Sequence, residues 1–453
     1  MNGASLSEIV ERQRAFFQSG RTRSLVWRRD ALNRLEKVLI EKQDDILEAL
    51  AEDLGKPAME AFLAEYHFLL QEIRLVRRKM AKWLKRRRVG SSMYFWPCRS
   101  WIERHPFGVV LVMAPWNYPI QLSLSPLVAA IAAGNCVVLK PSELAPATEK
   151  LLVAIVDEVF KGEGACVVTG GVEEAKGLMA EQFDFVFFTG STKVGRQVGR
   201  IAGENLTPAL LELGGKCPCV VDHRIDLNLA ARRIVAGKFL NAGQTCFAPD
   251  FVLVDQRIEE DFFEAMRRVL KEVPWDEEMA TIISEGHVDR VLGLCEGRVE
   301  VFGEDDRGRG YLAPRLICGV ESGHPAMSEE IFGPVLPVMT YKGDDELLEK
   351  MRGLESPLAV YCFSKDQQFV ERVSSAIASG SLCINDTMKQ LSQLGMPLGG
   401  VGPSGHGRYR GRFGLEALTY EKSVTKRYFF GKDYVELMPP YEKVFKWLKK
   451  FMK

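Results

Sequence analysis

The stretch Phe107-Gly108-Val109-Val110-Leu111-Val112-Met113-Ala114-Pro115-Trp116-Asn117-Tyr118-Pro119 decides the fold. It joins a short apolar run typical of a buried β-strand to a polar turn bounded by prolines. Similar β-type runs recur at 136–139, 165–168, 185–188 and 208–213, and helical patterns between them include 122–133, 148–160 and 192–202. Buried strands that alternate with helices predict a parallel sheet covered on both faces. The predicted fold class is α/β, doubly wound.

Polar residues stand where these predicted strands end, and ligands of such sheets bind beyond the carboxyl ends of the strands. The side-chain amide of Asn117 could donate to a developing oxyanion. Glu212 ends the fifth run and is followed by two glycines that let other groups approach, so it is a plausible general base. Lys140 and Glu143 follow the second run, where an ammonium and a carboxylate could bind ribose hydroxyls.

Two glycine-containing turns are candidates for a phosphate site. The turn 188–195 leads from a predicted strand into a predicted helix, whose amino terminus could bind a phosphate or simply form a tight turn. A literal dinucleotide fingerprint, Gly400-Val401-Gly402-Pro403-Ser404-Gly405, occurs elsewhere. We reject this second stretch, because it lacks a preceding buried strand and Pro403 removes a backbone donor.

A candidate nucleophile, Cys246, lies in the stretch Leu240-Asn241-Ala242-Gly243-Gln244-Thr245-Cys246-Phe247-Ala248-Pro249. A helix before it is predicted to begin at the cap Asp226 and to end at Gly243. The negative carboxyl end of that helix would raise the pKa of the thiol, so activation must come from groups distant in sequence. Taken alone, Cys246 also fits a buried structural cysteine.

The composition describes a globular protein without a global charge bias. The 453 residues include 60 basic and 60 acidic side chains, with 46% hydrophobic residues, so no overall field favours nucleic acid as a partner. A basic run from Arg74 to Arg88 is interpreted as a solvated helix face with cations near its carboxyl end.

Ten cysteines are scattered without zinc-site spacings, apart from Cys217-Pro218-Cys219, which is too tight for a structural zinc knuckle. We therefore expect no metal site. Because no signal peptide stands at the amino terminus, we expect a cytoplasmic protein. No apolar run reaches the roughly 20 residues of a membrane-spanning helix.

Segments outside the predicted sheet suggest a small β arm and a basic tail. Extended pieces at 93–97 and 100–102 could pair with 420–428 and expose an edge, which predicts a dimerisation arm. The tail 441–453 is a basic amphipathic helix, and two interpretations stay open: contact with an anionic membrane surface, or docking on the protein itself or its dimer mate.

Six motifs in series carry a resemblance to a known family. They are PWNYP at 115–119, KPSE at 140–143, FTGSTKVG at 188–195, ELGGK at 212–216, GQTC at 243–246 and EEIFGP at 329–334. In order and approximate spacing, the chain resembles the aldehyde dehydrogenase superfamily over most of its length, and its class 3 branch of fatty and aromatic aldehyde dehydrogenases in particular.

The resemblance implies a domain plan. The dinucleotide-binding domain comprises 1–89 and 105–211, an α/β catalytic domain comprises 212–412, and the oligomerisation arm and tail comprise 90–104 and 413–453. A homodimer is implied as well.

The resemblance also implies roles for individual residues. Cys246 is the nucleophile, Glu212 the general base, and Asn117 forms the oxyanion hole with the backbone N–H of Cys246. The implied cofactor residues are Lys140 and Glu143 at the adenosine ribose, Gly190, Ser191 and Gly195 in the cofactor turn, Glu330 at the nicotinamide ribose, and Phe332 beside that ring. Phe62 and Tyr118 are candidates for the substrate tunnel, and the nearby His406 and Arg410 are interpreted as packing residues.

The implied reaction oxidises an aldehyde, of medium or long aliphatic or aromatic type, to a carboxylic acid with NAD or NADP. It proceeds through a thiohemiacetal and a thioester on Cys246. Two alternatives are weighed: a coenzyme A-acylating enzyme, disfavoured because the hydrolytic base Glu212 is present, and a non-catalytic protein, disfavoured because the reactive residues are intact. The chain departs from the family at Leu398, where an aromatic residue is usual.

Overall fold

The computed structural model describes residues 5–92, 97–430 and 439–451, and three β-sheets organise this part of the chain. The predicted extended piece at 93–96 and the last two residues of the predicted tail lie outside the described residues. The strands are β1 (Arg87–Val89), β2 (Cys98–Pro106), β3 (Val109–Met113), β4 (Cys136–Lys140), β5 (Ala165–Val167), β6 (Phe185–Gly190), β7 (Ala209–Leu213), β8 (Pro218–Val221), β9 (Phe251–Asp255), β10 (Arg298–Val301), β11 (Arg315–Cys318), β12 (Val335–Tyr341), β13 (Ala359–Phe363), β14 (Ser381–Ile384), β15 (Gly405–His406) and β16 (Thr419–Arg427).

Helices cover both faces of the larger sheets. They are α1 (Leu6–Gln18), α2 (Leu25–Glu41), α3 (Gln43–Leu54), α4 (Ala58–Ala61), α5 (Phe68–Trp83), α6 (Pro119–Ala133), α7 (Pro146–Phe160), α8 (Val172–Ala180), α9 (Thr192–Glu204), α10 (Leu227–Phe239), α11 (Glu259–Lys271), α12 (Trp275–Glu278), α13 (Glu285–Gly293), α14 (Gly343–Arg352), α15 (Gln367–Ala376), α16 (Gly411–Ala417) and α17 (Glu442–Phe451). A π-helical stretch, Phe62–His67, joins α4 to α5. Across the described ranges, each helix is too short or too polar to cross a bilayer.

The first sheet has six strands in the order β15-β7-β6-β3-β4-β5, and its five long strands run parallel. These are the five strands predicted from the apolar runs, so that prediction is confirmed. The short strand β15 pairs antiparallel with β7 and sets Gly405 opposite Glu212. Helices α6 and α7 begin two or three residues earlier than predicted, because Pro119 and Pro146 occupy the first turn, where no N–H is needed.

Alternate residues of β3 pack into two different cores, which is the signature of a doubly wound sheet. Val109, Leu111 and Met113 pack in one cluster with α1, α8 and α9, whereas Val110 and Val112 belong to the larger core with α2, α5, α6 and α7. Because the strand is buried on both faces, every residue of β3 is apolar. The predicted fold class is confirmed.

The second sheet has seven strands in the order β10-β11-β12-β9-β8-β13-β14. All neighbours are parallel except β10, which runs antiparallel to β11 at one edge. Helix α10 connects β8 to the turn that carries Cys246, so the second sheet and the candidate nucleophile are adjacent along the chain. The predicted domain bounds stay a prediction.

The third sheet, β1-β2-β16, is antiparallel, and Tyr420 stands opposite His105 in it. The predicted pairing of the two distant β pieces is therefore confirmed. The basic run differs from its interpretation, since α5 ends at Trp83 and Arg87 lies in a strand. Strand pairing with β2 continues the sheet there, and Arg86 forms an ion pair with Glu103.

Candidate active site

A cavity of about 1610 Å³ opens where the carboxyl ends of β3, β6 and β7 meet the turn before Cys246. Most of the predicted site residues line it, although they come from segments far apart in sequence. Those lining residues are Asn117, Tyr118, Glu143, Gly190, Ser191, Glu212, Cys246, Glu330 and Phe332. Lys140, Gly195 and Phe62 lie behind this lining.

The turn that presents Cys246 begins earlier than predicted. Asp226 caps α10 by accepting the N–H of Leu229, as expected, but the helix ends at Phe239 rather than at Gly243. Asn241 and Ala242 then adopt left-handed backbone angles, with φ of 53° and 54°. A left-handed Gly243 follows, where an added Cβ would lie 2.3 Å from the carbonyl oxygen of Gly333. Position 243 therefore requires glycine, and α10 does not continue for one more turn at this point.

Asn117 is buried in the turn after β3 and is joined to the turn before Cys246 by hydrogen bonds in both directions. Its side-chain Nδ2 donates to the carbonyl of Gln244 at 3.0 Å. Its own carbonyl accepts from Nδ2 of Asn241 at 2.9 Å and from Nζ of Lys56 at 3.0 Å. These contacts place a side-chain N–H donor next to the segment that carries the thiol.

The thiol of Cys246 is held in its protonated form in this state. Burial raises the pKa of Cys246 well above its ordinary range, and the nearby Glu330 and Glu212 carboxyls raise it further. The sequence predicted the same direction from the helix dipole, but burial is the larger cause. A thiolate is the reactive form of cysteine, so this thiol must lose its proton before it can act as a nucleophile.

Glu212 ends β7 with a carboxyl group that is enclosed by protein. Its residue is 4% exposed, and neither carboxylate oxygen has a hydrogen-bond partner among the described residues. Burial raises the pKa of Glu212 to about 8, against the opposing effect of Arg408 and Arg410. A carboxyl group with this pKa exchanges protons near neutral pH, as a general base must.

Glu330 lies against the main chain immediately after Glu212. An added Cβ at Gly214 would lie 1.9 Å from Oε2 of Glu330, so the first glycine of the ELGGK motif makes room for this carboxylate. Burial and the neighbouring Asp250 raise the pKa of Glu330 to about 8.

Two residues that the sequence analysis did not single out hold the segment around Glu330. Lys216 bonds to Asp250 and donates to the carbonyls of Ala326 at 2.8 Å and Glu329 at 2.9 Å. Asp250 also accepts the N–H of Ile331 at 2.9 Å. The sequence carried a signal for Lys216, because it closes the ELGGK motif directly after the strand of Glu212.

One arm of the cavity fits a dinucleotide. Ser191 caps α9 by accepting the N–H of Val194 at 3.4 Å, so the first turn of that helix faces the cavity beside Gly190. Helix amino termini bind phosphates, and the Glu143 and Glu330 carboxylates can accept hydrogen bonds from ribose hydroxyls. These residues fit NAD or NADP.

Lys140 and Gly195 act from behind this arm. Nζ of the buried Lys140 donates to Glu143 at 3.0 Å and so orients that carboxylate. An added Cβ at Gly195 would lie 2.3 Å from Cδ2 of Leu213, so this glycine lets α9 pack closely on β7. Both residues support the lining rather than form it.

The other arm of the cavity is largely apolar. The hydroxyl of Tyr118 shares a hydrogen bond of 2.8 Å with Oγ1 of Thr245, next to Cys246. Phe62 instead stacks on the ring of His67 and packs against Tyr66. The same helical region supplies different lining residues, which the sequence analysis missed: Met59, Leu63 and Phe68.

The carboxyl-terminal motif region contributes Leu398 and Arg410 to the lining. The Arg410 guanidinium is buried 4.2 Å from the centre of the Phe68 ring, whereas His406 is exposed in β15. The rejected fingerprint 400–405 forms a tight turn that leads into β15, and no helix follows it directly.

The family model for the aldehyde dehydrogenase family matches residues 1–424. The chain belongs to the aldehyde dehydrogenase family. It is 38% identical to 4,4'-diaponeurosporen-aldehyde dehydrogenase of Staphylococcus aureus, an alignment that covers 97% of each chain. It is 40% identical to aldehyde dehydrogenase family 3 member B1 of Mus musculus, over 93% of this chain and 92% of that protein. The resemblance to the class 3 branch is confirmed.

Solved structures of aldehyde dehydrogenases superimpose on the whole architecture. The substrate-bound state of AldH from Staphylococcus aureus has a TM-score of 0.96 at 37% identity, with 100% of both chains covered. Indole-3-acetaldehyde dehydrogenase, solved in complex with NAD+, has a TM-score of 0.86 at 25% identity, covering 93% of this chain and 89% of that one. This aldehyde dehydrogenase is an NAD(P)-dependent oxidoreductase that converts aldehydes to carboxylic acids.

Proposed function

We propose that Cys246, Glu212 and Asn117 carry out this oxidation on aldehydes with medium or long aliphatic or aromatic groups. The observation that supports this most is that three side chains from distant segments line one cavity, at the junction of its apolar and dinucleotide-fitting arms. Glu330 and Phe332 line the same cavity, as a cofactor subsite next to the sulfur requires.

The reaction begins when the thiol of Cys246 gives its proton to water in the cavity and Sγ forms a bond to the aldehyde carbon. The carbonyl oxygen becomes an alkoxide, which accepts hydrogen bonds from the Asn117 amide and the Cys246 N–H. As the alkoxide reforms the carbonyl, the carbon loses hydride, and bound nicotinamide supplies the acceptor for it. A thioester remains on Cys246.

Hydrolysis of the thioester completes the cycle. Glu212 accepts a proton from water, the hydroxide adds to the thioester carbon, and the carbon–sulfur bond breaks to give the acid and the thiolate. Because the carboxyl of Glu212 is enclosed in this state, its side chain must turn toward the cavity when water is bound. In its enclosed position, Glu212 lies against Gly399, where an added Cβ would be 3.0 Å from Oε1 of Glu212.

The substrate class is supported by the lining of the second arm. Met59 and Leu63 are 68% and 54% exposed and line the opening, while Leu122 lies deeper and is 8% exposed. This arrangement gives a long apolar group continuous contact. The names of two relatives, one for 4,4'-diaponeurosporen-aldehyde and one in family 3, point the same way.

A direct test replaces the nucleophile. Cys246→Ser should abolish NADH formation with a long-chain aldehyde, whereas Cys295→Ser, a matched change outside the cavity lining, should retain wild-type turnover. Acid should form without coenzyme A, and acyl-coenzyme A should not accumulate when it is added. Unchanged turnover in Cys246→Ser, or strict dependence on coenzyme A, would contradict the proposal.

We propose NAD as the preferred cofactor. Glu143 is held beside the cofactor arm by Lys140, and its negative charge disfavours the 2′-phosphate of NADP.

We also propose a cytoplasmic homodimer. All ten cysteines are free, which suits a reducing compartment. Strand β16 leaves one edge of the arm sheet available for pairing. Sedimentation equilibrium at micromolar concentration should give the mass of two chains, and a monomer mass would contradict the dimer.

The tail supports a further proposal, peripheral contact with anionic membranes. Helix α17 exposes Phe445 at 56% and carries four lysines, and Tyr441, directly before the helix, is 57% exposed. Removal of residues 441–453 should abolish co-sedimentation with phosphatidylserine vesicles and leave activity on a soluble aldehyde unchanged. Equal vesicle binding by the truncated chain would favour docking of the tail on the protein itself or its dimer mate.

A further inference from the structure

Glu60 is an acidic side chain in the cavity that the reaction above does not use. It lies in α4, lines the apolar arm, and its Oε2 accepts the backbone N–H of Asn241 at 2.9 Å. The two residues are 181 positions apart in the chain. An amino-terminal helix therefore contacts the main chain of the turn that leads to Cys246.

The turn at Asn241 and Ala242 needs external support. Both residues have left-handed backbone angles, which L-residues other than glycine, asparagine and aspartate adopt rarely. Asn241 is fully buried, and its side-chain Nδ2 donates to the carbonyls of Asn117 at 2.9 Å and Gln244 at 3.2 Å. The N–H of Asn241 is occupied by Glu60, so the carboxylate completes the hydrogen bonds that define this turn.

We propose that Glu60 is a positioning residue whose carboxylate fixes the turn at Asn241 and Ala242 and thereby aligns the Asn117 amide with Cys246. This inference rests on the proposed roles of Cys246 and Asn117. Glu60 acts through Asn241, which contacts Asn117 directly, and through Gln244. The side-chain amides of Asn117 and Asn241 both donate to the carbonyl of Gln244. A catalytic donor displaced by about 1 Å loses about a hundredfold in rate, so a small shift of this turn is enough to matter.

Charges around Glu60 make the contact sensitive to pH. Burial raises the pKa of Glu60 to about 7, Glu278 raises it further, and the Asn241 N–H and Lys56 oppose that rise. The Tyr118 phenol also faces Glu60, and Glu65 is engaged by Lys56. An ionised carboxylate is the stronger acceptor, so the contact with Asn241 weakens as pH falls below about 7.

Two substitutions of Glu60 separate its acceptor oxygen from its charge. Glu60→Ala removes the acceptor and should lower kcat at pH 8 by about tenfold or more, with little change in KM for the aldehyde. Glu60→Gln keeps an acceptor oxygen and should restore kcat to within about threefold, while the rate of its NADH burst, which precedes hydrolysis, no longer falls with the ionisation near pH 7. A purely structural role would not give this recovery together with a changed pH profile.

A matched control removes the neighbouring charge of Glu278 and leaves the contact between Glu60 and Asn241 in place. Glu278 is exposed on α12 and raises the pKa of Glu60, so Glu278→Gln should move the acid side of the pH profile of the NADH burst rate to lower pH and leave kcat at pH 8 unchanged.

Hydrogen exchange at the Asn241 amide measures the contact between Glu60 and Asn241 directly. The amide of Asn241, followed by NMR or in a peptide that begins several residues upstream of it in α10, should exchange faster in Glu60→Ala than in Glu60→Gln. Equal kcat in Glu60→Ala and wild type, or equal exchange in all three proteins, would overturn the inference. Loss of activity in Cys246→Ser alongside a fully active Glu60→Ala would overturn this inference alone, whereas an active Cys246→Ser would overturn the proposed function itself.

Discussion

The side-chain amide of Asn117 donates to the main-chain carbonyl of Gln244 at 3.0 Å, two residues before Cys246. This bond links the turn after β3 in the first sheet to the turn that lies between β8 and β9 of the second sheet. Asn117 and the segment that carries the Cys246 thiol are therefore held by one local network rather than by two independent segments.

Asn117→Ala should lower kcat/KM by about a hundredfold to a thousandfold, since losing one oxyanion donor costs roughly 2.7 to 4 kcal/mol. Steady-state kinetics with a saturating cofactor measure this. Asn205→Ala, at the carboxyl end of α9, provides an amide deletion away from the cavity and should retain wild-type rates. A loss smaller than about threefold in Asn117→Ala would remove Asn117 from the oxyanion hole.

Glu212→Gln should stop turnover after the first acylation. A rapid-mixing experiment is expected to show one equivalent of NADH per site followed by almost no steady-state rate, because the thioester forms but is not hydrolysed. Glu204→Gln, on the exposed end of α9, should turn over normally. Sustained turnover in Glu212→Gln would show that another group activates water.

The pH dependence of hydrolysis follows from the pKa of Glu212, which burial raises to about 8. Below that pH the protonated form dominates and cannot accept a proton from water. The rate of thioester hydrolysis should therefore rise as pH increases through about 8 and then level off. A rate independent of pH between 6 and 9 would contradict the role of Glu212 as base.

Glu143→Gln should shift cofactor preference toward NADP. Removing one of two like charges about 4 Å apart in water is worth about 1 kcal/mol, so the ratio of kcat/KM for NADP over NAD should rise roughly fivefold. Glu173→Gln is a matched control, because Glu173 also pairs with a lysine three residues away, Lys176, but on the exposed helix α8. An unchanged ratio would place the 2′-phosphate away from Glu143.

Leu63→Ser should weaken binding of long aldehydes selectively. The loss of apolar contact is expected to raise KM for decanal about tenfold and to leave KM for propanal unchanged, since the short chain does not reach this residue. Leu206→Ser, the same substitution at an exposed leucine after α9 and outside the cavity lining, should affect neither substrate. Equal effects on both aldehydes would show that Leu63 is not part of the substrate arm.

The parallel sheet and most of the cavity were predictable because short motifs carry them. Apolar runs such as Val109–Met113 are buried on both faces, and the rule that ligands bind at the carboxyl ends of strands led to Asn117 and Glu212. The contact between Glu60 and Asn241 was not predictable, because neither residue has a local pattern that points to the other. The ionisation of Glu212 was likewise hidden, since it depends on burial by distant segments.

Leu63 lines the cavity instead of the predicted Phe62, at a point where the helix geometry is not α-helical. The stretch Phe62–His67 is π-helical, so each turn contains more residues than in an α-helix and the exposed face rotates along the helix. Within this stretch the ring of Phe62 packs against Tyr66 and His67, whereas Leu63 lines the cavity.

Strand β15 pairs with β7, places Gly405 opposite Glu212 and forms one edge of the first sheet. In the sequence, β15 lies almost two hundred residues after β7. During synthesis, the early strands and helices can pack together before the chain is complete. The carboxyl of Glu212 gains this neighbouring strand only after residue 406 has been translated. Truncation before residue 405 would therefore remove the strand that pairs with β7 beside Glu212.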